Sequence, residues 1–249
     1  MPKKSLTSID TTAPKKFNKE QSKKELVKLK MRLEELQNLL YAESQHALLV
    51  VLQGLDASGK DGAIKNVFDV VNPMGCRVVS FKAPTATEAK HDFLWRVHQN
   101  VPEKGMINVF NRSHYEDVLI QRVHHWVDEK TIINRFEQIN NFEKLLKDTG
   151  TTVLKFYLHV SKEEQLTRLN ERMSDKTKMW KYNENDIKER SYWNDYRKAY
   201  DDVFEKCSKH AEWNIVPSDQ NWYKELLIST KVVEALERLK MKFPGLKKG

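Results

Sequence analysis

A short apolar run leads directly into a glycine-bounded turn and then into a helix pattern between residues 47 and 71. The run Ala47–Gln53 has the length and the valine and leucine content of a fully buried parallel strand. The turn follows the spacing Gly54-x-x-x-x-Gly59-Lys60, and apolar residues then recur at helical intervals. Strand, turn and helix in this order are the context that a P-loop requires. The segment therefore predicts a phosphate-binding loop.

In a P-loop, backbone N–H groups and a helix N-terminus face the anion, and the lysine reaches the outer phosphates. The residues that we expect to contact phosphate are Gly54, Ala57, Ser58, Gly59, Lys60, Asp61 and Gly62. Ser58 and its neighbours are expected to act through their backbone. The loop thus predicts a substrate that carries phosphate groups.

Two carboxylates depart from the ordinary pattern. Position 61 is Asp, where an ordinary P-loop has the Ser or Thr that binds Mg²⁺, and Asp56 lies inside the loop. Carboxylates repel a polyanion unless a cation intervenes, so we expect Asp56 to bind a metal ion that prefers oxygen ligands. For Asp61, the alternative is a carboxylate that only accepts hydrogen bonds from the first turn of the helix.

Length and composition favour one α/β domain. The chain has 249 residues, 39% of them hydrophobic, and a net charge of +8 that admits a polyanionic partner. Two cysteines without metal-ligand spacing fit a reducing cytosol, and the N-terminus lacks the apolar stretch of a signal peptide. We expect a cytoplasmic protein that binds no membrane, because a stretch of about 18 apolar residues is missing from the sequence. We also expect no nucleic-acid partner, because zinc-finger spacing and RNA-recognition aromatics are missing. The expected organisation is a loosely ordered tail over 1–20, a single domain over 21–243 and a basic tail over 244–249.

Strand and helix patterns alternate along the chain. Such alternation predicts a parallel sheet with helices on both faces, whose ligands lie beyond the carboxyl ends of the strands. After the first strand, further strands are predicted at 76–81, 106–110, 152–160 and 213–216. Helices are predicted at 22–42, 62–71, 87–100, 114–122, 129–147, 162–173, 186–206 and 221–241.

The strand at 106–110 ends in polar residues that we expect beside the phosphate loop. Asn111 stands where P-loop enzymes have a metal-binding carboxylate, and Arg112 can form a bidentate contact with a phosphate. Glu116 and Asp117 begin the next helix near the same opening. Alternatively, these two acids only stabilise the first helical turn, and Arg112 pairs with one of them.

A basic cluster between residues 168 and 190 is interrupted by a turn-like Ser-Asp-Lys-Thr sequence. A helix that leads into a cationic segment and out through another helix resembles the lid of small P-loop kinases, which excludes water from the transferred group. A solvated charged surface is the alternative. A G-x-S-x-G motif is missing from the sequence, so covalent catalysis is unsupported.

Together these motifs resemble the family-2 polyphosphate kinases. The resemblance rests on the loop at 54–64, on Asn-Pro-Met-Gly at 72–75, on Phe-Asn-Arg-Ser-His-Tyr-Glu-Asp-Val-Leu at 110–119, and on the basic segment around Trp180. Asn rather than Asp at 111 is similar to the third class of that family. The resemblance implies a thymidylate-kinase-like three-layer α/β/α fold with a lid at about 172–190. It also implies reversible, Mg²⁺-dependent transfer from inorganic polyphosphate to AMP and ADP, with Mn²⁺ as an alternative ion, in a homo-oligomer, expected to be a tetramer.

Residue roles follow from the same resemblance. Asp56 and Lys60 would be essential, with Asp56 bound to Mg²⁺, and Asn111 and Arg112 would form the strand-end pair. Glu116 would help to accept AMP, with Asp117 beside it. The polyphosphate would be held by Arg172, Lys178 and Lys181. Two other functions stay open on the residues alone: an ATP-dependent nucleotide or metabolite kinase, and a non-catalytic polyphosphate-binding protein.

Overall fold

The computed structural model describes residues 5–245, so positions 1–4 and 246–249 of the two predicted tails lie outside the described residues. Within the described range, five parallel strands form one sheet in the order β2-β3-β1-β4-β5. The strands are β1 Ala47–Gln53, β2 Cys76–Ser80, β3 Ile107–Asn111, β4 Thr151–His159 and β5 Trp213–Pro217. The helices are α1 Lys19–Glu43, α2 Lys60–Val67, α3 Trp95–His98, α4 Ile120–Val123, α5 Glu129–Asp148, α6 Lys162–Ser174, α7 Glu184–Glu189, α8 Trp193–Lys206 and α9 Asn221–Arg238.

Helices cover both faces of the sheet. Every residue of β1 is buried, and successive side chains point to opposite faces. Leu49 and Val51 pack in a cluster with residues of α5 and α8, whereas Leu48, Val50 and Leu52 pack with residues of α1, α2 and α9. The predicted three-layer α/β/α kinase fold is therefore confirmed. No helix of the described residues has the length and apolar character that crossing a membrane requires.

Three predicted helices are interrupted, and the helices predicted at 62–71 and 221–241 end earlier, at Val67 and Arg238. The stretch predicted at 87–100 contains a short 3₁₀ turn and α3, because Asp92 caps Leu94 N–H and His91 stacks on Trp95 at 4.1 Å. The stretch predicted at 114–122 is a 3₁₀ helix followed by α4, and the stretch at 186–206 is divided into α7, a 3₁₀ turn and α8. Local side-chain hydrogen bonds compete with continuous helices in such short segments.

The N-terminal segment, expected to be loosely ordered, instead contacts the domain from residue 5 onward. Leu6 is 1% exposed and joins the core cluster on the α5 and α8 face. Its N–H donates to Asp201 Oδ1 at 3.0 Å, and Thr11 donates to Asp219 Oδ2 at 2.7 Å. Composition alone hid these contacts because their partners lie about 200 residues away in sequence.

The strand register brings the predicted site together. β1 pairs with β3 so that Leu52 lies opposite Asn111, and the N–H of Arg112 donates to Leu52 O at 3.0 Å. The loop that follows β1 therefore begins beside the polar residues that follow β3. This edge is the carboxyl end of the parallel sheet, where α/β folds bind their ligands.

Candidate active site

The loop after β1 has the backbone conformation of an anion-binding turn. Ala57 and Gly59 have φ values of 58° and 96°, in the left-handed region that favours glycine. Gly59 directly precedes α2, whose first residue is Lys60. A Cβ at Gly59 would meet Lys224 Nζ and displace it, but the positive φ is what favours glycine at this position. The N-terminus of α2 thus opens towards the adjoining cavity with the polarity that favours an anion.

Lys60 lies within the loop rather than in solvent. Its side chain is buried, and Nζ donates to Gly54 O at 2.7 Å and to Leu55 O at 3.1 Å. Burial and the neighbouring Arg112 cation lower the pKa of Lys60 to about 8. An anion bound beside this ammonium would favour its charged form and so raise the pKa again.

Arg112 occupies the centre of the site between two carboxylates. Its guanidinium forms an ion pair with Asp56 and another with Glu116, the latter at 3.1 Å. Glu116 and Asp56 hold the pKa of Arg112 above its ordinary value in spite of burial. The expected alternative of an Arg112–Glu116 pair is therefore present, but the same arginine also contacts the phosphate loop.

Asp61 connects three elements of the site. Its Oδ1 accepts a hydrogen bond from Asn111 Nδ2 at 2.9 Å, and its Oδ2 pairs with Lys181 Nζ at 2.7 Å. Burial would raise the pKa of Asp61, but the contacts with Lys181 and Asn111 outweigh it and lower the pKa. Asp61 is thus more than a first-turn helix carboxylate, because it joins α2 to β3 and to the segment 172–190.

The predicted lid, residues 172–190, runs from the end of α6 through α7. Arg172 pairs with Asp186 at 2.7 Å across this segment, whereas Lys178 pairs with Glu171 at 2.8 Å on the exposed side. Asp186 has a raised pKa because of burial and the nearby Asp56. The segment therefore lies beside the phosphate loop, and Lys181 contacts Asp61 in the first turn of α2.

In the part of the chain that the structure describes, two cavities adjoin at this edge of the sheet. The first cavity, of about 570 Å³, is lined by Asp56, Ala57, Gly59, Lys60, Asp61, Gly62, Lys82, Asn111, Arg112, Arg168, Glu171, Arg172, Lys178 and Lys181. The second cavity, of about 320 Å³, is lined by Phe81, Lys82, Ala83, Pro84, Arg96, Arg112, Glu116, Asp117, Ile120, Gln121 and Trp126. Lys82 and Arg112 line both.

Most residues chosen from the sequence line the first cavity, and four lie elsewhere. Gly54 lines a small void of about 30 Å³ that Asp56 and Arg112 also line, and Ser58 is fully buried. The Ser58 N–H donates to Leu55 O at 3.1 Å, so this amide is used within the loop. Glu116 and Asp117 line the second cavity, and burial raises the pKa of Asp117 to about 6 against the opposing effect of Arg135 and Arg96.

Sequence reasoning did not choose two cations that the structure places here. Arg168 donates to Ala57 O and Ser58 O at 3.1 Å each, and to Ser218 O and Asp219 O at 2.7 and 3.0 Å. It therefore holds the phosphate loop against the loop after β5. Lys82 lies just after the carboxyl end of β2. Its position after a predicted strand is the signal in the sequence that could have identified it.

The donor set fits a metal ion only in part. Within residues 5–245, His, Cys, Asp and Glu do not gather in threes around a potential metal site. Asp56, which lines the first cavity, and Asp186, which lines the adjoining small void together with Asp56, do offer carboxylate oxygens. Such a set fits an ion like Mg²⁺, which is typically held by one or two carboxylates, water and substrate phosphates.

A five-stranded parallel sheet with a P-loop after its central strand and cations facing that loop defines a P-loop kinase. The chain belongs to the polyphosphate kinase 2 (PPK2) family, whose model matches residues 16–244. It is 48% identical over 236 residues to the AMP/ADP-polyphosphate phosphotransferase of Meiothermus ruber, covering 94% of this chain and 88% of the relative. It is 43% identical to the ADP-polyphosphate phosphotransferase of Rhodopseudomonas palustris, covering 86% and 78%. The crystal structure of polyphosphate kinase 2 from Arthrobacter aurescens TC1 superposes with a TM-score of 0.96 at 39% identity, covering 100% of this chain and 90% of that one.

Proposed function

We propose that this protein transfers a phosphoryl group from inorganic polyphosphate to AMP and ADP. The observation that carries the proposal is the first cavity, which among the described residues is lined by seven lysine and arginine side chains against three carboxylates. Its neighbour, the second cavity, has a different lining and meets it at Lys82 and Arg112. The names of the relatives from Meiothermus ruber and Rhodopseudomonas palustris support the same substrates.

The first cavity suits the polyphosphate donor. A polyphosphate chain carries about one negative charge per unit and offers no bases to recognise, so repeated cations can hold it in many registers. The loop supplies amide groups and Lys60, and the segment 172–190 supplies further cations. In this proposal Arg172, Lys178 and Lys181 belong to a lid that closes over the chain and excludes water.

The second cavity suits the nucleotide acceptor. Phe81, Pro84, Ile120 and Trp126 provide apolar surface for a base, and Trp126 is 61% exposed at the opening. Arg112 provides a bidentate donor for the acceptor phosphate at the end that meets the first cavity. Glu116, paired with Arg112, orients that guanidinium.

Transfer then needs no protein nucleophile. A terminal phosphate oxygen of the nucleotide attacks the terminal phosphorus of the chain, and the bridging oxygen leaves with the shortened polyphosphate. Lys60 and Arg112 hold the reacting oxygens in line and neutralise their charge. Asp56 would hold Mg²⁺ with Asp186 nearby, and the bound ion would supply positive charge that neutralises phosphate oxygens.

The decisive assay is ATP formation from ADP, and ADP formation from AMP, with polyphosphate as the sole donor. We expect product from both acceptors in the presence of Mg²⁺. Product formed only when ATP is the donor would favour an ATP-dependent kinase. Polyphosphate binding without product from either donor would favour a non-catalytic binding protein.

A pair of lysine variants tests the site. Lys60→Ala removes the loop ammonium and should lower kcat about a hundredfold or more. Lys65→Ala removes the same charge from an exposed position of α2 that lines neither cavity, so it should stay within about twofold of wild type. Equal activity of the two variants would refute the assignment of the loop.

We further propose a cytoplasmic homo-oligomer, expected to be a tetramer. The exposed apolar side chains Val27 and Met31 on α1, 59% and 62% exposed, support a subunit contact there. Cys76 and Cys207 are both free thiols, which suits a reducing compartment. Light scattering of the purified protein checks the oligomer, and a monomer at micromolar concentration would contradict it.

A further inference from the structure

Lys82 lies where the two cavities meet. It is the second residue after β2 and lines both the first and the second cavity, as Arg112 does. A group that passes from a donor in one cavity to an acceptor in the other must cross the boundary that these two side chains share. Lys82 is therefore placed at the point of transfer rather than along one substrate.

The ammonium group of Lys82 is also unused. Within residues 5–245 it makes neither a hydrogen bond nor an ion pair. The other cations of the first cavity all have protein partners: Lys60, Arg112, Arg168, Arg172, Lys178 and Lys181. A cation with a protein partner must give up that contact to bind phosphate, whereas Lys82 has none to lose.

The backbone at Lys82 is held in place. Its carbonyl accepts a hydrogen bond from Arg96 Nη1 at 2.8 Å, and Arg96 is 6% exposed and lies over the Phe81 ring at 5.5 Å. The N–H of Phe81 donates to Asn111 O at 3.0 Å. The start of the Lys82 side chain is thereby fixed to the strand end that carries Arg112, while its ammonium has no partner among the described residues. A fixed backbone at this position suits a side chain that must reach the charge that develops between the two cavities during transfer.

We propose that Lys82 is a catalytic residue that contacts the phosphoryl group in transit. This inference rests on the proposed function. In the step, the bond between the terminal phosphorus and its bridging oxygen breaks, and a bond from the nucleotide phosphate oxygen to the same phosphorus forms. The electron pair of the broken bond leaves with the shortened chain. Lys82 and Arg112 neutralise the equatorial oxygens of this phosphorus from two sides and accept no proton.

The test compares three variants. Lys82→Met keeps the length of the side chain and removes its charge, and Lys82→Arg restores the charge. Lys90→Met is the control, because Lys90 is an exposed lysine of the same loop that lines neither cavity. Thermal unfolding of all three should match wild type. Measured quantities are kcat at saturating substrates and the Kd values of polyphosphate and AMP, each alone.

For Lys82→Met we expect kcat to fall about tenfold to a hundredfold, while each Kd changes less than about threefold. Lys82→Arg should recover most of kcat, and Lys90→Met should match wild type. A kcat for Lys82→Met within about twofold of the control would overturn the inference, whether or not a Kd changed. Wild-type protein that forms no product from polyphosphate would instead refute the proposed function.

Discussion

The contact between Arg168 and the phosphate loop gives the most specific prediction about stability and activity together. Nη1 of its guanidinium donates to the carbonyl groups of Ala57 and Ser58, and Nη2 donates to those of Ser218 and Asp219. The remaining nitrogen, Nε, pairs with Glu164 Oε1 at 2.8 Å within α6. Arg168→Met keeps much of the aliphatic stem and removes all of these hydrogen bonds. We expect the variant to lose stability and to hold the loop less firmly.

The expected magnitude follows from the number of bonds. A hydrogen bond to a charged group contributes about 1.5–3 kcal/mol, so one effective bond to the loops from each of the two Nη nitrogens gives about 3–6 kcal/mol. Water can reach part of this site, since the side chain is 14% exposed, and the loss should lie near the lower end, about 3 kcal/mol. A loop that is held less firmly should also lower kcat/KM for polyphosphate about tenfold or more.

Urea unfolding and steady-state kinetics measure both effects. Arg238→Met is the matched control, because the Arg238 side chain is 77% exposed and pairs only with Glu234 at 3.6 Å among the described residues. This control should stay within about 0.5 kcal/mol of wild type. If Arg168→Met unfolds at the same urea concentration as the control, or keeps its kcat/KM, Arg168 does not hold the loop.

Three other predictions concern a buried lysine, the loop lysine and the strand end. Lys155 is fully buried and donates to Glu143 Oε2 at 2.7 Å, so Lys155→Met should cost about 3–5 kcal/mol of unfolding free energy. Adding Glu143→Gln should restore part of that loss, and additive losses in urea unfolding would contradict this. Lys60 has a pKa of about 8, and its positive charge is lost as pH rises through that value. Measured kcat/KM for polyphosphate should therefore fall above about pH 8, and a flat profile between about pH 7 and 9.5 would argue against a role for this ammonium. Asn111→Asp places a second carboxylate beside Asp61, so the ratio of AMP to ADP turnover should shift; an unchanged ratio would contradict a role in acceptor choice.

The sequence allowed the sheet and the phosphate loop to be predicted closely, because both depend on local patterns. Strand β1 and the start of α2 follow from a continuous apolar run, a glycine turn and helical periodicity. The contact between Arg112 and Asp56 depends instead on the register of β1 against β3, which local pattern does not encode. The two residues are 56 positions apart in the sequence.

Long-range contacts explain the remaining differences. Arg168 belongs by composition to a basic cluster, and only the fold shows that it binds carbonyl groups of the loop. The N-terminal segment has a polar composition, yet Leu6 enters the core because Asp201 and Asp219 bind the backbone and side chains around it. A single sequence carries least information about side-chain contacts whose partners lie far along the chain.

The most direct test of this account is a crystal structure of the protein soaked with a polyphosphate of defined length, AMP and Mg²⁺. The account predicts a row of phosphates in the first cavity, with the terminal unit against the amides of residues 54–62, and AMP in the second cavity with its phosphate towards Arg112 and Lys82. Polyphosphate bound elsewhere on the surface, with both cavities empty, would contradict it.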